Sequence, residues 1–238
     1  MERAEWLKQM RDKAEKLYDL YAPRYWVDIG LYPDETTLEY LQKFLGRISP
    51  HSNLLSAGCG AGRYDGILLE AGHSVVGIDQ SEGMLARAKE YFPEVKYEKI
   101  ALQEMNFQNE FDGVICLDAM EHVCPEDWPG IVRRFRKALK PGGVLYFTVG
   151  RGGDHVEMAY ERAKALGLPV VFGEVVDEVE EAYERAVASG GKAEAEDVAV
   201  YHYHPSSEQV RTWISQEGLV IEEEGIGEWY EHFVMRKR

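Results

Sequence analysis

The sequence predicts an α/β fold, a parallel sheet with helices wound over both faces. Three observations carry that expectation. Between Asn53 and Val149 short apolar runs alternate with amphipathic helical patterns, as strands joined by crossover helices do. The first run opens into alternate glycines, Gly58, Gly60 and Gly62, and the second ends on an acid, Asp79.

Residues 1–49 read as a helical arm. Trp6, Met10, Ala14, Leu17, Tyr18 and Tyr21 recur at three- and four-residue steps, and Thr36 to Phe44 repeat the pattern after Pro33-Asp34. Within residues 50–150, strands are expected at Leu54–Ala57, Ser74–Ile78, Val95–Tyr97, Gly113–Leu117 and Val144–Val149. After Arg151-Gly152-Gly153 the pattern turns helical at Val156–Leu166 and Val175–Ala188, so residues 151–204 read as a helical insertion. Residues 205–238 complete the core with a helix reaching Gln216, then Leu219–Glu223 and Tyr230–Met235 as an antiparallel edge pair.

Composition narrows the function classes. The 238 residues are 45% hydrophobic and 29% charged, enough to bury a core, and no apolar run approaches the length that spans a bilayer. No membrane role is expected. The opening residues, Met1 to Trp6, lack the apolar stretch of a secretion signal, so a cytoplasmic location is expected. Cys59, Cys116 and Cys124 lack paired metal-site spacing and read as reduced structural thiols. The net charge of −15 would repel a phosphate backbone, so no nucleic-acid partner is expected. Residues 151–200 hold 12 acidic against 5 basic side chains, and the acidic run Glu174 to Glu184 is expected to be a solvated helix surface.

The chemistry is densest at Ala57-Gly58-Cys59-Gly60-Ala61-Gly62-Arg63. Glycine lets the chain turn tightly and lets a ligand approach the backbone. A dinucleotide site wants its third glycine one residue later, where Arg63 stands, which weakens a nicotinamide reading. Asp79 lies 21 residues after Gly58, at the end of the neighbouring strand. A carboxylate there accepts both hydroxyl hydrogens of a ribose.

With these residues in view, the sequence resembles the class I S-adenosylmethionine-dependent methyltransferases, in particular the small-molecule, methyltransferase type 11-like branch. Gly77-Ile78-Asp79-Gln80-Ser81 with Met84-Leu85 looks like its ribose-binding strand and helix. Phe111 to Cys116, then Glu121-His122-Val123, resemble its fourth strand and the segment after that strand; Leu139-Lys140-Pro141-Gly142-Gly143 resembles the turn before its fifth. The resemblance implies a Rossmann-like, doubly wound seven-stranded sheet with a reversed C-terminal hairpin. It also implies S-adenosyl-L-methionine as cofactor, with Gly58, Cys59, Gly60, Gly62, Asp79, Gln80 and Met84 around it. Ser56 stands where the family usually has an acid, and Ala101 where many members have an Asp for the adenine amino group. The adenine is then left to Leu102 and Gln103, and the methionine amino group to Asp118.

Methyl transfer from a sulfonium needs alignment and dryness, and a base only if the acceptor must lose a proton. His122, expected early in the helix after the fourth strand, is the catalytic candidate, with a purely bracing role as its alternative. Asp118, Glu121 and His122 resemble the E-x-x-E-H stretch of ubiquinone-pathway O-methyltransferases and so raise a divalent metal. That reading is not favoured, because a hard cation takes more oxygens than this stretch offers. In the aromatic stretch Tyr18 to Trp26, Tyr21 and Tyr25 are chosen as substrate contacts; Arg151 and His155, near the end of the fifth strand, are added from the insertion, read as a substrate cap. Tyr201-His202-Tyr203-His204, if extended, puts the histidines on one face and the tyrosines on the other. The function expected is methyl transfer to an oxygen, nitrogen or carbon of a small metabolite, by a monomer or homodimer. A non-catalytic S-adenosylmethionine-binding protein and, more distantly, an NAD-dependent oxidoreductase are the alternatives.

Overall fold

The computed structural model describes residues 1–30, 33–176 and 197–238. Five parallel strands, β1 (Asn53–Ala57), β2 (Ser74–Asp79), β3 (Lys96–Lys99), β4 (Phe111–Cys116) and β5 (Leu139–Gly150), are joined by an antiparallel pair, β8 (Leu219–Ile226) and β9 (Tyr230–Lys237). The order is β3-β2-β1-β4-β5-β9-β8, the expected seven-stranded sheet with its reversed hairpin. The chain reverses between β1 and its neighbours β2 and β4, and a crevice opens there beyond the strand ends.

Both faces of the sheet are buried, and the strands show it by alternation. Leu55, Val114, Leu145 and Phe233 enter one core, while their neighbours Leu54, Ile115, Tyr146 and Val234 enter the other. On the first face lie the start of α1 (Arg3–Tyr21), α6 (Trp128–Ala138) and α8 (Ser207–Gln216). Trp128, Ile131, Val132, Phe135 and Ala138 make the buried stripe of α6, and Trp128 stacks on Trp213 of α8 at 5.1 Å. The second face carries α3 (Glu35–Leu45), whose Tyr40, Leu41 and Phe44 are buried, and α4 (Asp65–Glu70), which buries Leu68. Side-chain caps start the helices cleanly: Asp34 accepts from Thr37 N for α3, Ser206 from Gln209 N for α8, and Ser81 from Met84 N for α5 (Glu82–Tyr91).

The insertion departs from the expected helix pair. Its first helix, α7 (Asp154–Ala165), forms, but Val175 and Val176 belong to a strand, β6 (Glu174–Val176), that pairs antiparallel with β7 (Tyr201–Tyr203). The rest of the expected second helix, 177–188, lies outside the described residues. Glu174, placed by its acidic neighbours on a solvated face, is fully buried: Arg3 of α1 pairs with it at 2.8 Å and the Tyr201 hydroxyl donates to it at 2.5 Å. A charge that would be costly alone is thus compensated from two sides. Among the described residues, no helix is long and apolar enough to cross a membrane.

Candidate active site

Beyond the ends of β1, β2 and β4 lies a cavity of about 550 Å³, roofed by α1 and the short α2 (Tyr25–Ile29). One end has backbone walls. Gly58 has φ +65° and sits so close to the loop after β4 that a Cβ would stand 2.7 Å from the Ala119 Cβ. Gly60, at φ +52°, donates its N–H to Asp79 Oδ2 at 2.9 Å, while Ser81 N donates to Asp79 Oδ1 at 2.8 Å. Burial pushes the Asp79 carboxyl up, and these backbone bonds pull the other way.

The arm is fastened to this end by a residue that its sequence pattern did not single out. Asp19 Oδ1 accepts from Ser81 Oγ at 2.7 Å and from Gly83 N at 2.9 Å, at the first turn of α5. The approach is close enough that a Cβ on Gly83 would stand 2.8 Å from the Asp19 carbonyl oxygen. Docking the arm here brings Tyr18, Tyr21 and Tyr25 to the cavity wall. The Tyr21 and Tyr25 rings meet edge to face at 6.1 Å, and burial raises the Tyr25 phenol.

At the other end the walls are side chains. Asp118, held at φ +53° and bonded through its N–H to Thr148 Oγ1, accepts from Arg63 Nη1 at 3.0 Å and from the Tyr64 hydroxyl at 2.5 Å. Burial raises its carboxyl against those partners. Glu121 is buried beside it, accepts from Tyr230 at 3.5 Å and, among the described residues, has no partner for Oε2; burial, then the Asp118 charge, push its carboxyl up to about 8. His122 is in a single 3₁₀ turn, Met120–His122, rather than in a helix, because α6 does not start until Trp128. Its Nε2 lies 3.0 Å from the Tyr18 hydroxyl and its Nδ1 3.2 Å from the Tyr201 carbonyl oxygen.

Of the residues singled out in the sequence, Gly58, Cys59, Gly60, Asp79, Gln80, Met84, Leu102, Gln103, Asp118, His122, Tyr21 and Tyr25 all line the cavity. Gly62 does not. It faces the interior, where a Cβ would meet Phe92 and Tyr97 at 2.9 Å, so its job is packing. Gln103 donates its side-chain amide to Asp127 Oδ2 at 3.0 Å. Arg151 and His155 are outside the cavity: Arg151 Nη1 donates to the Gly227 and Glu228 carbonyls, bracing the loop between β8 and β9, and His155 is exposed with its ring edge against His204 at 5.7 Å. Tyr201 and Tyr203 are buried and His202 and His204 half-buried on the opposite face, the expected alternation. Among the described residues, no group of three His, Cys, Asp or Glu side chains is arranged to hold a metal ion. Asp118 and His122 already spend atoms on Arg63, Tyr64, Tyr18 and the Tyr201 carbonyl.

Known proteins share this fold. A family model described as a methyltransferase domain matches residues 54–143. The ubiquinone biosynthesis O-methyltransferase of Idiomarina loihiensis is 35% identical over 116 residues, 44% of this chain and 47% of that protein. The chain spans about half the length of the curated relatives it matches. The magnesium protoporphyrin IX methyltransferase of Synechocystis, solved with bound SAH, superposes with a TM-score of 0.57 at 16% identity, covering 97% of this chain and 86% of that one. A Rhodobacter sphaeroides structure, provisionally named a zinc-dependent alcohol dehydrogenase, reaches a TM-score of 0.69 at 16% identity, covering 94% and 97%. At such identities the two structures speak for the fold alone, and the name of neither transfers. Residues 54–143 thus form a methyltransferase domain, and the strand order around them is that of the Rossmann-like methyltransferase fold.

Proposed function

We propose that this chain transfers a methyl group from S-adenosylmethionine to a small molecule held between the arm and the sheet. The observation that carries the reading is the Asp79 carboxylate, fixed on the cavity wall by N–H bonds from Gly60 and Ser81. Backbone amides hold both oxygens, and the lone pairs left over suit ribose hydroxyls. Gly58 and Gly60 leave the wall beside it bare of side chains, so a nucleoside can lie against the backbone. Leu102 and Gln103, on the cavity wall, would flank the adenine, and Cys59, Gln80 and Met84 would close around the nucleoside. Asp118 and Arg63 offer opposite charges to the zwitterionic amino-acid end.

When bound, S-adenosylmethionine supplies a methyl group already activated by its sulfonium. The protein's part is then to align the acceptor, keep water out and hold a proton if the acceptor releases one. Leu7, Met10, Ala14 and Leu17 of α1 present an apolar roof that serves the second task, and His122 serves the third. The cavity volume falls in the range of small-molecule sites, and the charge of −15 disfavours a polyanionic acceptor.

Thermal unfolding tests the cofactor assignment: S-adenosylmethionine or its demethylated product should raise the melting temperature, and NAD should not. The opposite pattern refutes it. Incubation with a cell extract and S-adenosylmethionine should then yield a product heavier by one methyl group, identified by mass spectrometry.

A further inference from the structure

Helix α1 carries into the cavity a hydroxyl that meets an imidazole. The Tyr18 oxygen lies 3.0 Å from His122 Nε2, with the rings edge to face at 5.3 Å, and both residues line the cavity. On the far side, His122 Nδ1 faces the Tyr201 carbonyl oxygen at 3.2 Å. A carbonyl only accepts, so Nδ1 carries the hydrogen of the neutral ring and Nε2 is the acceptor for the Tyr18 O–H. The backbone of β7 thus fixes the tautomer. Tyr18 sits next to Asp19, whose bonds to Ser81 and Gly83 anchor the arm, so the hydroxyl is delivered by the same contact that roofs the cavity.

We infer that Tyr18 is the group that meets the acceptor's reacting atom and takes its proton while passing its own to His122, and that the acceptor is a phenol-type hydroxyl. The inference rests on the methyl-transfer reading above. The bonds balance: the acceptor O–H breaks as an O–H forms on Tyr18, the original Tyr18 O–H breaks as an N–H forms at His122 Nε2, and the electron pair left on the acceptor oxygen becomes the nucleophile. His122 ends as an imidazolium whose Nδ1–H still rests on the Tyr201 carbonyl. A phenol suits this relay because its pKa, ordinarily about 10, lies only about 3.5 units above that of an ordinary imidazolium, a gap that the irreversible methyl transfer can draw across. An alkyl alcohol is far weaker and would stall at the first transfer. The apolar stripe of Leu7, Met10, Ala14 and Leu17 on the same helix suits the ring that carries such a hydroxyl.

The probe is 4-nitrophenol, whose anion is yellow, added to the full chain saturated with S-adenosylhomocysteine at a pH where the free phenol is mostly colourless. The wild type should bind it as the anion. In Tyr18→Phe and in His122→Gln the bound anion should fall by about tenfold or more, while both variants keep the thermal shift given by S-adenosylhomocysteine. Failure of the wild type to bind the phenol at millimolar concentration overturns the hydroxyl assignment, and equal ionisation in Tyr18→Phe overturns the relay. Absence of any thermal shift with S-adenosylhomocysteine in the wild type is a separate result, and it counts against the methyl-transfer reading itself.

Discussion

At the Asp79 end of the cavity the wall is backbone, Gly58, Gly60 and the amides that grip one carboxylate; at the His122 end it is side chains from positions 18, 64, 118, 121, 122, 201 and 230. The first end is set by two adjacent strand-to-helix turns, so it forms wherever β1 and β2 pair correctly. The second requires the arm, the 3₁₀ turn, the insertion and the edge hairpin to arrive together. A protein built this way keeps one ligand constant and lets the other vary, because substitutions at the second end leave the turns of the first intact.

The largest expected effect comes from the side-chain end. Glu121 is a buried acid whose folded pKa lies near 8, whereas in the unfolded chain it ionises near 4.5. A raised pKa in the folded state means that the contribution is full below the unfolded value and drains away as pH climbs to the folded one. Glu121→Gln removes that drain. Between about pH 5 and pH 9 the stability difference should move by about 4 kcal/mol in favour of the variant, read from urea unfolding at each pH. A flat difference would mean that Glu121 titrates like an exposed acid.

Next in size is the backbone end. Asp79→Ala should weaken S-adenosylmethionine binding about 100-fold in calorimetry, as loss of a charged hydrogen-bond partner does. Unchanged affinity would sever Asp79 from the ribose. Arg3→Met tests whether the side-chain end depends on distant ties. Among the described residues it leaves Glu174 with Tyr201 and the Val171 amide, so stability should drop by about 2 kcal/mol, and Arg3→Met with Glu174→Gln should recover much of it. The smallest effect is expected at Arg151, whose guanidinium braces an exposed loop: Arg151→Ala should cost less than about 0.5 kcal/mol and leave turnover intact. A large loss of turnover there would reinstate it as a substrate contact.

The same division explains what the sequence made legible. Strand positions, the glycine loop and Asp79 were readable because their chemistry is local: apolar runs, a turn that glycine favours, and an acid at a strand end. Gly62 belonged to the pattern but serves packing against Phe92 and Tyr97, a distinction that spacing cannot make. Helical periodicity placed Tyr18, Tyr21 and Tyr25 on the arm without saying which ring would find a partner, since the partner of Tyr18 lies 104 positions away. Val175 and Val176 fit a helical stripe as well as a strand, and pairing with Tyr201 and His202 decided it. Glu174 sat in an acidic run whose neighbours argued for water, and a cation 171 positions earlier drew it inside.

The pairing of Arg3 with Glu174 also bears on biosynthesis. Arg3 leaves the ribosome 171 positions ahead of the carboxylate it grips. Until then α1 lacks Glu174, Tyr201 and the strands of the small sheet, and its Trp6, Leu7 and Met10 have only part of their eventual cover. A nascent chain can therefore pair β1 with β2 and β4, and still leave α1 undocked with an apolar face turned to water. Made before the sheet, α1 settles after it, so during synthesis that helix has much to gain from a chaperone.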